Sequence, residues 1–133
     1  MEILIRKAKA SDVDAIFILV NFYAKRGKLL RRSRADIRKN IRDFFVAVKA
    51  GDLVGCASLD VYSRKMAEMR SLAVKPSQTN SGIGGELVNA CLARAKKKQI
   101  LEVMVISSEE NFFKKCGFNY TLPGQRKALF INP

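Results

Sequence analysis

Residues 68–88 read EMRSLAVKPSQTNSGIGGELV. A strand-like run, EMRSLAV, leads in, and a helix-like run, ELVNACLARAKKK, leads out. Between them stand Pro76, a set of small polar residues, and three glycines within four positions: Gly82, Gly84 and Gly85. Glycine inside a helix costs about 0.5–1 kcal/mol relative to alanine, so three together imply a close approach to the backbone. A helix N-terminus leaves backbone N–H groups without partners. With the helix dipole those groups attract an anion, and glycines admit it without a Cβ in the way. SGIGG therefore reads as a phosphate cradle, and tight packing at a strand–helix corner is the other reading of the same glycines. No GK[ST] follows, which excludes a P-loop. The G-x-G-x-x-G spacing is absent and the preceding strand belongs to a meander, which excludes the dinucleotide fingerprint.

The rest of the chain narrows the chemistry. Its 133 residues fit one domain, residues 1–133, with a moderate core. A hydrophobic fraction of 48% is too high for a disordered chain. The longest apolar run, Ala15 to Val20, is too short to cross a bilayer. The N-terminus MEILIRK lacks a signal-peptide pattern. A soluble, cytoplasmic protein that does not engage a membrane is the expectation. Cys56, Cys91 and Cys116 are odd in number and show no paired spacing, which argues against a disulfide framework or a thiolate metal cage. Histidine is absent, which removes Ser–His and Cys–His pairs and the commonest zinc ligand, so no metal is expected. The formal net charge of +13 favours anionic partners without choosing among nucleic acid, acidic protein, phosphorylated cofactor and carboxylate substrate. A basic surface that only confers solubility reads equally well.

Periodicity supplies the element order. Glu2 to Lys7 alternates weakly as a first strand. Ser11 with Asp14 makes a capping box before Val13, Ile16, Phe17, Val20, Tyr23 and Ala24 at helical spacing, and Gly27 ends that helix. Ser33 and Asp36 repeat the signature before a short basic helix to about Asn40. Phe44 to Val48 and Leu53 to Tyr62 form a hairpin around a Gly-Asp turn, and Met66 to Val74 follows as a fourth strand. A helix from about Gly82 to Lys98 buries Ile83, Leu87, Val88, Cys91, Leu92 and Ala95. Leu101 to Ile106 is a fifth strand, and a short helix runs from Glu109 to Cys116. Phe118 to Thr121 and Arg126 to Ile131 make a last hairpin. The fold class is α/β (α+β): a mixed, mostly antiparallel sheet of about seven strands flanked by about four helices.

The strand EMRSLAVKP, the GIGGELV helix, the strand LEVMVI and the helix NFFKKCGF together resemble the GNAT superfamily of acyl-CoA N-acyltransferases. The likeness spans nearly the whole chain. Leu72, Val74 and Pro76 match the family's L-x-V-x-P, and Gly82 and Gly84 match the glycines of its R/Q-x-x-G-x-G/A. Thr79 stands at the Arg/Gln position and Asn80 where a glycine is usual. Phe112, Phe113, Gly117 and Phe118 meet F-Y/F-x-x-x-G-F, with Phe113 at a position where many members carry a tyrosine that protonates the leaving thiolate. Ser107 stands where many carry an asparagine for the pantetheine arm. AKRGKLLRRSRADI further resembles the short N-acetylglutamate synthase-like branch, with Arg31 replacing a proline, whereas QRKALFINP lacks that branch's tryptophan and cysteine pair.

The resemblance implies an acyltransferase using acetyl-CoA and a primary amine, by direct attack. It implies cofactor contacts at Leu72, Ala73, Val74, Thr79, Asn80, Ser81, Gly82, Ile83, Gly84, Gly85, Ser107 and Phe113. Glu68 corresponds to the family's base, and a salt bridge with Arg70 is its alternative reading. Arg32 and Arg70 are the candidates for holding an acceptor carboxylate, since arginine grips carboxylates with two parallel hydrogen bonds. Tyr120, Cys116 and water are candidate proton donors. An α-amine of pKa about 7.7–8.0 is about a tenth or more neutral at pH 7, against about one in 2,500 for lysine. A site without histidine thus suits an amino acid such as glutamate. A peptide N-terminus, and a non-catalytic module binding RNA or acidic protein, stay as alternatives. Nucleic acid is disfavoured, because the phenylalanines read as core rather than stacking platforms. A homodimer stays open.

Overall fold

The computed structural model describes residues 2–120, 129 and 131–133. Five strands form one sheet in the order β1 (Ile3–Lys7), β2 (Phe44–Lys49), β3 (Asp52–Val61), β4 (Met66–Val74) and β5 (Glu102–Val105). The first four pair antiparallel and β5 joins β4 in parallel. Helices α1 (Val13–Ala24) and α2 (Arg34–Lys39) contribute to a core that holds Ile16, Val20, Ile37, Phe44 and Ala73. Helix α3 (Ile83–Lys97) and the short α4 (Glu110–Lys115) contribute Leu87, Val88, Cys91 and Phe113 to a second core.

The amphipathic readings of the helices hold. Ile83, Leu87, Val88, Cys91 and Ala95 of α3 are buried, and α1 buries Leu19 beside Val13, Ile16 and Val20. Ser33 caps α2, its hydroxyl accepting the Asp36 amide at 3.0 Å. The Ser11–Asp14 capping box does not form. A single 3-10 turn, Ala10–Asp12, precedes α1, and Asp12 accepts the Lys9 amide at 2.8 Å. Asp14 instead pairs with Arg34 at the surface, 3.0 Å away. The β2–β3 turn sits one residue earlier than expected, with Ala50 at φ +51° and Gly51 at φ +84°.

Within the described residues the sheet has five strands, not seven. Phe118, expected to open a sixth, donates its amide to Phe113 at 3.0 Å while Gly117 donates to Lys114 at 3.0 Å. These two bonds close the end of α4 around Gly117, at φ +100°. An amide committed to that cap cannot start a ladder, and the Phe118 ring packs edge-on to Phe113 at 5.5 Å. The remainder of the expected last hairpin, Thr121 and 126–128 with residue 130, lies outside the described residues.

One irregularity shapes the site. The β3–β4 register shifts between Cys56 and Ser58, opposite Ser71, whose φ is +56°. An extra residue in one strand of a pair reverses the alternation beyond it. Ala67 and Met69 therefore belong to the α3-side core, whereas Ala73 belongs to the α1-side core.

Candidate active site

The β4–β5 ladder ends at Met69–Val105, although β4 continues to Val74. From Arg70 to Val74 the strand therefore has no β5 neighbour, and the two strands part. The Tyr23 hydroxyl donates to the Val74 carbonyl at 2.5 Å, and the Lys75 amide donates to Val54 at 2.8 Å, which anchors the strand's free end from below.

The glycine loop begins with a 3-10 turn, Pro76–Gln78. Thr79 Oγ1 donates to the Pro76 carbonyl at 3.1 Å, Ser81 Oγ donates to the Gln78 carbonyl, and Lys49 Nζ donates to Gln78 Oε1 at 3.1 Å. Asn80 and Gly82 take left-handed φ values of +64° and +85°. The first hydrogen bond of α3 runs from the Glu86 amide to the Gly82 carbonyl at 3.1 Å. Among the described residues no acceptor meets the amides of residues 81–85. The three glycines thus divide the work between the two sequence readings. Gly82 supplies the left-handed turn. Gly84 is a packing position, since a Cβ there would stand 3.2 Å from Phe112 Cζ. A Cβ on Gly85 would meet nothing within 4 Å, so the approach to that amide is open.

The other candidates gather on the α1/α2 face of β3 and β4. Arg32 is only 4% exposed. Its Nε donates to Asp36 Oδ2 at 2.7 Å and its Nη1 to Ser58 Oγ at 3.1 Å and Ser71 Oγ at 3.4 Å. The Arg32 bond holds the Asp36 carboxyl below its ordinary range. Arg70 Nη1 donates to Asp60 Oδ2 at 2.9 Å. Burial works against the charge on Arg70, and the bond to Asp60 together with the charges of Asp60, Tyr62 and Glu68 more than offsets it. Glu68 is half-buried. It makes no ion pair with Arg70, because Asp60 takes that guanidinium, and its Oε1 accepts the Tyr62 hydroxyl.

Ser107 lies just beyond β5, and its hydroxyl accepts the Glu109 amide at 2.9 Å. Phe113 is buried against Phe112 and Phe118, while Phe112, not singled out for the cofactor, faces Gly84. Cys116 is half-buried, and burial pushes its thiol up. Tyr120 is exposed beneath Lys114. A groove of about 550 Å³ between α1 and the start of β3, lined by Ile18, Phe22, Leu53 and Pro76, contains none of the candidate residues. Among the described residues no three His, Cys, Asp or Glu side chains cluster as metal ligands, and no helix is long and apolar enough to cross a membrane. Sequence reading missed Asp60, Tyr62 and Asp36, although a turn centred on Arg64 would already have placed Asp60 opposite Glu68.

Comparison with known proteins decides the family. Residues 40–120 match the acetyltransferase (GNAT) domain. The chain belongs to the GNAT acetyltransferase family. This GNAT domain is 40% identical over 114 residues to an uncharacterised N-acetyltransferase of Chlorobaculum tepidum, covering 86% of this chain and 74% of that protein. It is 37% identical over 119 residues to an amino-acid acetyltransferase of Mycobacterium tuberculosis, covering 86% of this chain and 67% of the relative. Among solved structures, that of Rv2747 from Mycobacterium tuberculosis in complex with CoA and NLQ superposes with a TM-score of 0.85 at 34% identity, over 94% of this chain and 76% of that one. N-acetylglutamate synthase from Neisseria gonorrhoeae, complexed with coenzyme A and N-acetyl-glutamate, gives 0.82 at 27% identity, over 86% of this chain and 28% of the synthase. The GNAT assignment and the likeness to the N-acetylglutamate synthase branch both stand.

Proposed function

We propose that this GNAT acetyltransferase carries the acetyl group of acetyl-CoA to the α-amine of an amino acid such as glutamate. One observation carries the reading. The unpaired end of β4 leads directly to the unpartnered amides of residues 81–85, and the same strand presents Glu68 and Arg70 on one face.

The amides at the α3 N-terminus and the helix dipole suit a diphosphate. Thr79 engages the Pro76 carbonyl, so the cradle relies on backbone rather than on a side chain at that position. The backbone of Leu72, Ala73 and Val74, without a β5 neighbour, is suited to the pantetheine arm. One N–H aimed at the thioester oxygen is worth about 2.7–4 kcal/mol of barrier. Glu68 accepts the proton that leaves the acceptor amine, directly or through water. A bond forms from the amine nitrogen to the carbonyl carbon, the carbon–sulfur bond breaks, and the thiolate takes a proton. Water, Tyr120 and Cys116 are the donors to hand, and the burial of Cys116 makes its thiol a weak acid. Arg70 uses one nitrogen on Asp60 and offers its remaining N–H groups to the acceptor carboxylate. Arg32 lies deeper and links α2 to the bulge.

A thiol-release assay with acetyl-CoA over glutamate, aspartate, lysine, polyamines and short peptides tests the reading. Turnover of free α-amino acids, led by glutamate, is expected. Release with peptides alone would make the protein an N-terminal acetyltransferase. Tight coenzyme A binding without release for any acceptor would favour the non-catalytic module.

A further inference from the structure

Glu68 is the proposed base, yet a carboxylate on a flexible side chain works as a base only if one oxygen is aimed at the proton it takes. The structure contains a device for this on the neighbouring strand. Ser58 and Asp60 of β3, and Tyr62 just beyond the strand's end, share the face of Glu68 and Arg70 on β4, and Asp60 stands opposite Glu68. Asp60 holds Arg70 at 2.9 Å, and among the described residues Glu68 has no arginine partner. The Tyr62 hydroxyl then donates to Glu68 Oε1 and, among the described residues, is the one side-chain hydrogen bond Glu68 makes.

We propose that Tyr62 is a positioning residue for Glu68, fixing Oε1 so that Oε2 faces the acceptor amine or the water that relays its proton. This rests on the reading of Glu68 as the base. Tyr62 remains a donor throughout the working range. Partial burial, and secondarily the bond to Glu68, push its phenol up to about 12, well above the range of about 7.7–8.0 in which an α-amine becomes neutral. Tyr62 is not asked to exchange a proton with the substrate.

The test is a double-mutant cycle with Tyr62→Phe, Glu68→Gln and the pair, read by thiol release with whichever acceptor the enzyme turns over best. Loss of a general base typically costs about a hundredfold or more in kcat. Tyr62→Phe is expected to lower kcat about five- to tenfold with both KM values unchanged, and to cost nothing further in the Glu68→Gln background. Full activity of Tyr62→Phe, or losses that multiply, would overturn the proposal while leaving Glu68 as base. Full activity of Glu68→Gln would remove the base itself, and the positioning role with it. Urea unfolding of the same four proteins reads the contact without any acceptor. Non-additive midpoints are expected, and strictly additive ones would also overturn the proposal.

Discussion

Arg32 brings a full charge into a position 4% exposed, and it does so with three acceptors in place. Its removal would leave the Ser58 and Ser71 hydroxyls without that donor and Asp36 without its ion pair. Asp36 is 39% exposed and can turn to water, which moderates the penalty. Arg32→Ala is expected to cost about 2 kcal/mol of stability in urea unfolding, and more than a rim arginine such as Arg34. Arg70 behaves differently. Among the described residues Asp60 Oδ1 is buried without a partner, so Arg70→Ala leaves neither oxygen of that carboxylate with a described partner. Arg70→Ala is expected to raise the KM for glutamate about tenfold, equivalent to about 1.4 kcal/mol, and to lower stability as well. Adding Asp60→Ala is expected to restore part of the stability but none of the KM. A KM that recovers together with stability would show that Arg70 never touches the acceptor.

At the level of elements, two helix starts make opposite demands. The α1 entry depends on Asp12, which two Arg6 nitrogens bond at 2.7 and 3.0 Å. The Arg6 bonds hold the Asp12 carboxyl below its ordinary range. A depressed folded pKa adds stability above the unfolded value, about 3.9, and that stability is lost as pH falls through the folded value. Asp12→Asn is expected to cost about 1–3 kcal/mol at pH 7 and much less in strong acid, measured by urea unfolding at both. The α3 start is built around openness. Gly82→Ala forces alanine to φ +85° and is expected to cost about 1–2 kcal/mol of stability. Gly85→Ala meets no neighbour and is expected to raise stability by about 0.5–1 kcal/mol while weakening coenzyme A binding, read by thermal unfolding with and without the ligand. Unaltered coenzyme A affinity in Gly85→Ala would place the diphosphate elsewhere. The helices and the β2–β3–β4 meander were legible because each has a local cause: apolar spacing, a capping serine, a short turn. The sixth strand was misread because Phe118 spends its amide on the α4 cap, and alternation of side chains does not reveal where an amide is used.

Over the whole molecule the formal charge is +13, and acetyl-CoA is an anion. Raising salt from about 0.01 M to 0.15 M shortens the screening length from about 30 Å to about 8 Å. The KM for acetyl-CoA is expected to rise over that range while kcat is unchanged, and a salt-independent KM would mean the charge serves solubility alone. The sequence by itself determined the kinds and order of the first nine elements, the buried helix faces, the β2–β3–β4 hairpins and the glycine-rich helix start, because all of these depend on residues a few positions apart. Which carboxylate meets which arginine was decided only by tertiary structure. The β3–β4 register, the bulge at Ser71 and the crossing of Arg32 from the edge of α2 to the sheet bring together residues up to 39 positions apart. Long-range pairing sets such partnerships, and a one-residue shift in it would turn Glu68 and Arg70 to the opposite face.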